Sequence, residues 1–153
     1  MALTKVQPEM MQQLTPAIMP TGSVIQVQYT VGGSSGTSTS TTYVDDGLNV
    51  TITPKFATSK IFVTCTSGSS VSGGYAFFQI IEAVSSTVIA ECPWGNFSNS
   101  PQQLQGFTLN GWYVPGNTTT RTFKLQGKCT AGTRYLNYDQ PTTVNITAME
   151  IQG

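Results

Sequence analysis

Leu48-Asn49-Val50-Thr51-Ile52-Thr53 sets an apolar side chain at every second position and a polar one between. A period of two belongs to a β-strand with one face in a core and the other in water. Pro54 ends the run, the Ala57-Thr58-Ser59 turn reverses the chain, and Lys60 to Thr66 resumes the pattern. There Ile61, Val63 and Cys65 alternate with Phe62 and Thr64. The turn between the two runs reverses the direction of the chain.

The pattern spreads in both directions. Upstream, Val24, Ile25, Val27, Tyr29 and Val31 form a first strand, and Gly32 to Thr42 reads as a flexible Gly/Ser/Thr loop. This loop has no lysine and no following helix, so it is not a phosphate cradle. Tyr43-Val44 reads as a short strand and Asp45-Asp46-Gly47 as a turn. Downstream, Tyr75 to Ala83 (YAFFQIIEA) is almost continuously apolar, which predicts a strand covered on both faces. Ser85-Ser86 turns the chain into Thr87 to Glu91, and Pro93 to Gln103 is a long polar loop. Gln105 to Val114, Thr119 to Gly127, Thr133 to Tyr138 and Thr143 to Gln152 complete nine or ten short strands. Strands this short, spaced at about 8–12 residues with turn signals between them, predict an all-β antiparallel sandwich, jelly-roll-like, over residues 23–153.

Composition narrows the function. Of 153 residues, 24 are Thr and 14 Ser, while only 9% are charged, against roughly 25% in ordinary soluble proteins. Seven basic residues balance seven acidic ones, and without a basic stripe the chain is no nucleic-acid binder. There is no His, which removes the usual general base and the commonest metal ligand. No apolar window is long enough to span a membrane, and the first residues lack the apolar core of a secretory signal. Cys65, Cys92 and Cys129 read as small buried apolar residues, with a Cys92–Cys129 bridge left open. Sequons at Asn49, Asn96, Asn117 and Asn145 follow from the abundance of Thr.

The acids available for chemistry are Asp45, Glu82, Glu91, Asp139 and Glu150. Glu82 and Glu91 flank one predicted hairpin, and carboxylates about 5–9.5 Å apart hydrolyse glycosides. The reading adopted is that they are isolated surface charges that guard strand edges, so no catalytic residue, cofactor or metal ligand is expected. Asp45-Asp46-Gly47 alone offers too few ligands for calcium. Trp94, Phe97, Trp112, Tyr113, Tyr135 and Tyr138 fall in or beside loops, where they read as core plugs, subunit contacts or stacking surfaces for a glycan.

Residues 1–22 differ from the rest. They hold four of the five Met and three Pro, and Gln7 to Leu14 suits two helical turns starting at Pro8. Met10, Met11, Leu14, Ile18 and Met19 have no β partner, so the segment reads as an extended or helical anchor arm or stalk.

The runs Gly22-Ser23-Val24-Ile25-Gln26-Val27, Tyr43-Val44-Asp45-Asp46-Gly47-Leu48, Thr51-Ile52-Thr53-Pro54 and Thr58-Ser59-Lys60-Ile61 resemble a β-sandwich domain of tail-fibre and virion appendage proteins of tailed phages, those of cyanobacteria and other aquatic bacteria especially. The ending Ile146-Thr147-Ala148-Met149-Glu150-Ile151 is similar to that domain's last strand. The resemblance implies a non-enzymatic virion protein, made in the host cytoplasm, homotrimeric, bound to capsid or tail proteins and touching host surface polysaccharide. On this resemblance the long shaft and docking domain of a full fibre are not expected, and residues 1–22 are expected to make the attachment. Two alternatives follow: a capsid decoration (cement) protein, and a carbohydrate-binding or depolymerase tip.

Overall fold

The computed structural model describes residues 19–32, 36–92, 105–137 and 144–153. Among them are ten strands and no helix: β1 (Val24–Gly32), β2 (Gly36–Ser38), β3 (Val44–Ile52), β4 (Lys60–Val71), β5 (Ala76–Glu82), β6 (Val88–Glu91), β7 (Gln105–Tyr113), β8 (Arg121–Cys129), β9 (Arg134–Leu136) and β10 (Val144–Ile151). They form two antiparallel sheets, and the chain is an all-β sandwich. In the first sheet β1, β10, β4 and β7 lie side by side, while β9 and β2 continue from the C-terminal part of β4. The second sheet runs β3-β8-β5-β6.

Three expectations need correcting. Asp45-Asp46-Gly47 is not a turn between strands; it lies inside the continuous strand β3. The ladder to β8 jumps there, from Asp45↔Gln126 to Asn49↔Lys124, and Gly47 takes a φ of 77°. This is a β-bulge, where the extra residues need the left-handed backbone that glycine adopts without strain. The loop from Gly32 to Thr42 contains β2, which pairs with Arg134–Leu136. Finally, β4 runs past Thr66 to Val71, because Ser67 and Ser69 take inward positions that a search for apolar alternation passes over.

The inner faces meet in one core. Leu48, Val50, Ile52, Phe78, Ile80, Phe123 and Leu125 come from the second sheet. Ile61, Val63, Cys65, Phe107, Leu109, Ile146 and Ala148 come from the first. Phe78 and Phe107 stack across the gap with ring centroids 4.3 Å apart, and Tyr113 meets Phe123 edge-on at 5.5 Å. The apolar strand β5 is covered on both faces, as predicted, but within one chain. On its outer face Ile81 is buried, Gln79 Nε2 donates to Gln126 Oε1 at 2.9 Å, and the Lys128 ammonium sits 5.4 Å from the Phe77 ring. A neighbouring copy is therefore not needed to cover this strand.

Candidate functional site

The acids are mostly structural, and three of them are not surface charges. Asp46 leaves the β3 bulge pointing inward and accepts a 2.6 Å hydrogen bond from Arg134 Nη2 of β9. Their side chains are 5% and 2% exposed, and the guanidinium carbon lies 5.1 Å from the Phe78 ring centroid. Gly127 makes room for the pair: a Cβ there would stand 2.6 Å from the Arg134 guanidinium carbon and 2.8 Å from Asp46 Oδ2. Burial pushes the Asp46 carboxyl above its ordinary range, and the Arg134 charge opposes that without cancelling it.

Glu150 is fully buried on β10. Its Oε1 accepts from the backbone amides of Lys55 (2.7 Å) and Phe56 (3.2 Å), and its Oε2 accepts from Gln26 Nε2 (2.6 Å). Glu82 is buried at the end of β5, where Oε2 accepts from the Ser85 amide and hydroxyl at 2.7 and 2.6 Å. Burial raises the Glu82 carboxyl, but hydrogen bonds from Ser85 and the Val84 amide, with the Arg121 charge, outweigh it and hold it below the usual range. Glu91 lies opposite Gln79 on the outer face and accepts a 2.6 Å bond from the Tyr43 hydroxyl. Glu82 points inward, three positions further along β5, so the sheet separates the two carboxylates. The hairpin does not assemble a glycosidase pair. Asp45 pairs with Lys124 Nζ at 2.8 Å, and Asp139 lies outside the described residues.

A cavity of about 210 Å³ opens between β1 and β3, lined by Thr30, Gly32, Asp46, Leu48, Leu136 and Val144. It is smaller than the roughly 300–1,000 Å³ of ordinary small-molecule sites. Among the described residues no three Cys, Asp or Glu side chains converge as a metal site, and no helix is long and apolar enough to cross a membrane. No disulfide forms among the described residues, and Cys65 and Cys129 are buried. Burial, with the nearby Asp46 charge, pushes the Cys65 thiol up to about 12. No protein-family model and no curated protein matches the chain.

The aromatic candidates do not form one platform. Trp112 and Tyr113 are neighbours on β7 and so point to opposite faces: Tyr113 packs inward on Phe123, while Trp112 stands outward, 58% exposed. Tyr135 is half-buried on the short strand β9. Trp94, Phe97 and Tyr138, and the anchor candidates Met10, Met11, Leu14 and Ile18, lie outside the described residues. Met19 is half-buried where the chain enters the sandwich, beside the 2.8 Å bond from the Gly22 amide to the Gln152 carbonyl.

Trp112 belongs to a larger feature that sequence reasoning missed. On the outer face of the first sheet, β1, β10, β4 and β7 place Val27, Met149, Phe62 and Trp112 in one row across the strands. Phe62 and Trp112 touch, with centroids 4.9 Å apart. The rows beside it are Tyr29-Thr147-Thr64-Asn110 and Val31-Asn145-Thr66-Thr108 on one side, and Val24-Ile151-Lys60 on the other. Val114 adjoins Lys60 and Trp112 around a shallow depression of about 370 Å³. Lys60 is the single charge in these rows. The outer face of the second sheet carries Asp45, Lys124, Lys128 and Glu91 instead.

Proposed function

We propose that the chain is a non-enzymatic structural protein of a phage virion: a homotrimeric surface appendage held to the particle through residues 1–22. The observation that carries this reading is the use made of the buried acids. Asp46, Glu82 and Glu150 each have a carboxylate oxygen engaged by a nearby guanidinium, hydroxyl or amide, and among the described residues none shares a cleft with a second acid. General acid–base chemistry needs titratable groups within reach of a bound substrate. The resemblance to phage appendage domains agrees with this. Its runs fall on β1, on the β3 bulge and on the turn into β4, which are the joints of the sandwich. The low charge suits a protein whose surface is covered by assembly partners.

Immunogold labelling of intact particles with an antibody to this chain tests the reading. Label on the tail or fibres supports it; label spread over the head lattice converts it to capsid decoration. Absence of the chain from purified particles, or clearance of host polysaccharide by the purified protein, overturns it.

A further inference from the structure

We propose that the outer face of the first sheet is the surface through which copies of this chain bind one another. The inference deepens the structural-protein reading and rests on it. Tyr29 is 70% exposed, Trp112 58% and Val27 47%, and Val24, Val31 and Val114 are exposed with them. Four strands about 4.8 Å apart, each contributing about eight residues at about 3.3 Å, give a face of roughly 20 by 25 Å, on the order of 500 Å². Apolar side chains hold its Val27-Met149-Phe62-Trp112 row and the Val24, Ile151, Tyr29 and Val31 positions, with Thr, Asn and Lys60 filling the others. Two such faces in contact cover about 1,000 Å², the area at which specific interfaces begin.

The composition fits the same conclusion. Interface cores are depleted of charge and enriched in aromatic residues and Met. The central row holds Phe62, Trp112 and Met149, with Tyr29 next to it. A second copy is the occupant this face suits. It offers one charge at a corner, so it has no pattern by which a differently charged partner would be chosen, and the chain's formal net charge of zero leaves no long-range repulsion between copies. Flat sheet faces pack against each other at about 10 Å, and a closed symmetric assembly repeats the same rows in every subunit.

Light scattering on the full chain at micromolar concentration tests this. The wild type is expected to be heavier than the 16.4 kDa of one chain. Tyr29→Lys and Val27→Lys place a charge on the face at outward positions and are expected to reduce the mass to that of one chain. Val84→Lys, 81% exposed at the β5–β6 turn, adds the same charge elsewhere and is expected to keep the wild-type mass. Circular dichroism and a cooperative thermal transition show that each variant is folded. The inference is overturned if folded Tyr29→Lys and Val27→Lys keep the wild-type mass, or if the wild type is a single chain. It is equally overturned if a single-chain wild type gains binding of a hydrophobic dye on removal of residues 1–18, because its own segment then covers the face. The virion reading fails separately, by absence of the chain from particles.

Discussion

Asp46 and Arg134 stand 88 positions apart, and no pattern local to either residue announces that they meet. The bulge turns one inward, β9 carries the other, and Gly127 leaves the space between them. The pair is imperfect: among the described residues, the buried Asp46 Oδ2 and Arg134 Nε and Nη1 have no hydrogen-bond partner. Removing one partner of a buried ion pair strands the other, so Arg134→Met is expected to cost about 3–5 kcal/mol near neutral pH. The pH dependence has a definite sign. A carboxyl raised in the folded state contributes stability below its unfolded value, about 3.9, and loses it as pH rises through the folded value. Without Arg134 to oppose burial, Asp46 rises further. The variant should therefore lose less stability near pH 4 than near pH 7. Urea unfolding at both values checks this, and equal losses contradict it. Cys65 gives a second expectation at this scale. With its thiol at about 12 and no exposure, alkylation needs unfolding, since the thiolate is the nucleophile. Iodoacetamide followed by mass mapping should leave Cys65 unmodified in native buffer and modify it in urea.

At the scale of elements, the strands that were readable are those with one dry and one wet face. Leu48-Val50-Ile52, Ile61-Val63-Cys65 and Val144-Ile146-Ala148 alternate because their opposite faces meet water or a polar neighbour. Strand β5 was readable as covered on both faces, but not what covered it, because Lys128 and Gln126 arrive from a strand some 50 residues later. Serine at inward positions hid the end of β4, and the positive-φ bulge disguised the middle of β3 as a turn. The acids were misjudged for a related reason: a carboxylate is buried when donors converge on it, and two of those on Glu150 are backbone amides from the β3–β4 turn, with no signature in side-chain pattern. Glu150 shows the consequence. It joins β10 to β1 through Gln26, which also donates to the Thr53 carbonyl at 2.7 Å, and it caps the β3–β4 turn through two amides. Glu150→Gln keeps the shape but turns one acceptor into a donor facing donors. Hydrogen bonds to charged groups contribute about 1.5–3 kcal/mol each, so a loss in that range is expected from chemical denaturation. A variant as stable as the wild type would show that the turn holds without the carboxylate.

For the molecule as a whole, the question is whether residues 1–18 belong to the sandwich or to its attachment. Among the described residues β1 has anchors of its own. It is in register with β10 from Gln26 to Gly32, and the entry to it is closed by Ser23 N to the Pro20 carbonyl (3.0 Å), Gly22 N to the Gln152 carbonyl and Gln152 N to the Ser23 carbonyl (2.9 Å). All of these partners lie at Pro20 or beyond. Among the described residues the core cluster runs from Leu48 to Ala148. Deleting residues 1–18 is therefore expected to leave a cooperatively folding sandwich. Its Tm should move by less than about 2–4 °C, the shift that a 1 kcal/mol change produces in a chain of this size. On the proposed role the same deletion removes Met10, Met11, Leu14 and Ile18, side chains worth roughly 1.5–3 kcal/mol each when buried on a partner. Incorporation into particles should then fall below detection while the soluble protein stays folded. Truncated protein found on particles at wild-type occupancy would move attachment from the arm to the sandwich. Loss of the thermal transition would instead make the arm part of the fold, because the hydrogen bonds from Pro20 onward would have proved insufficient to hold β1 in place.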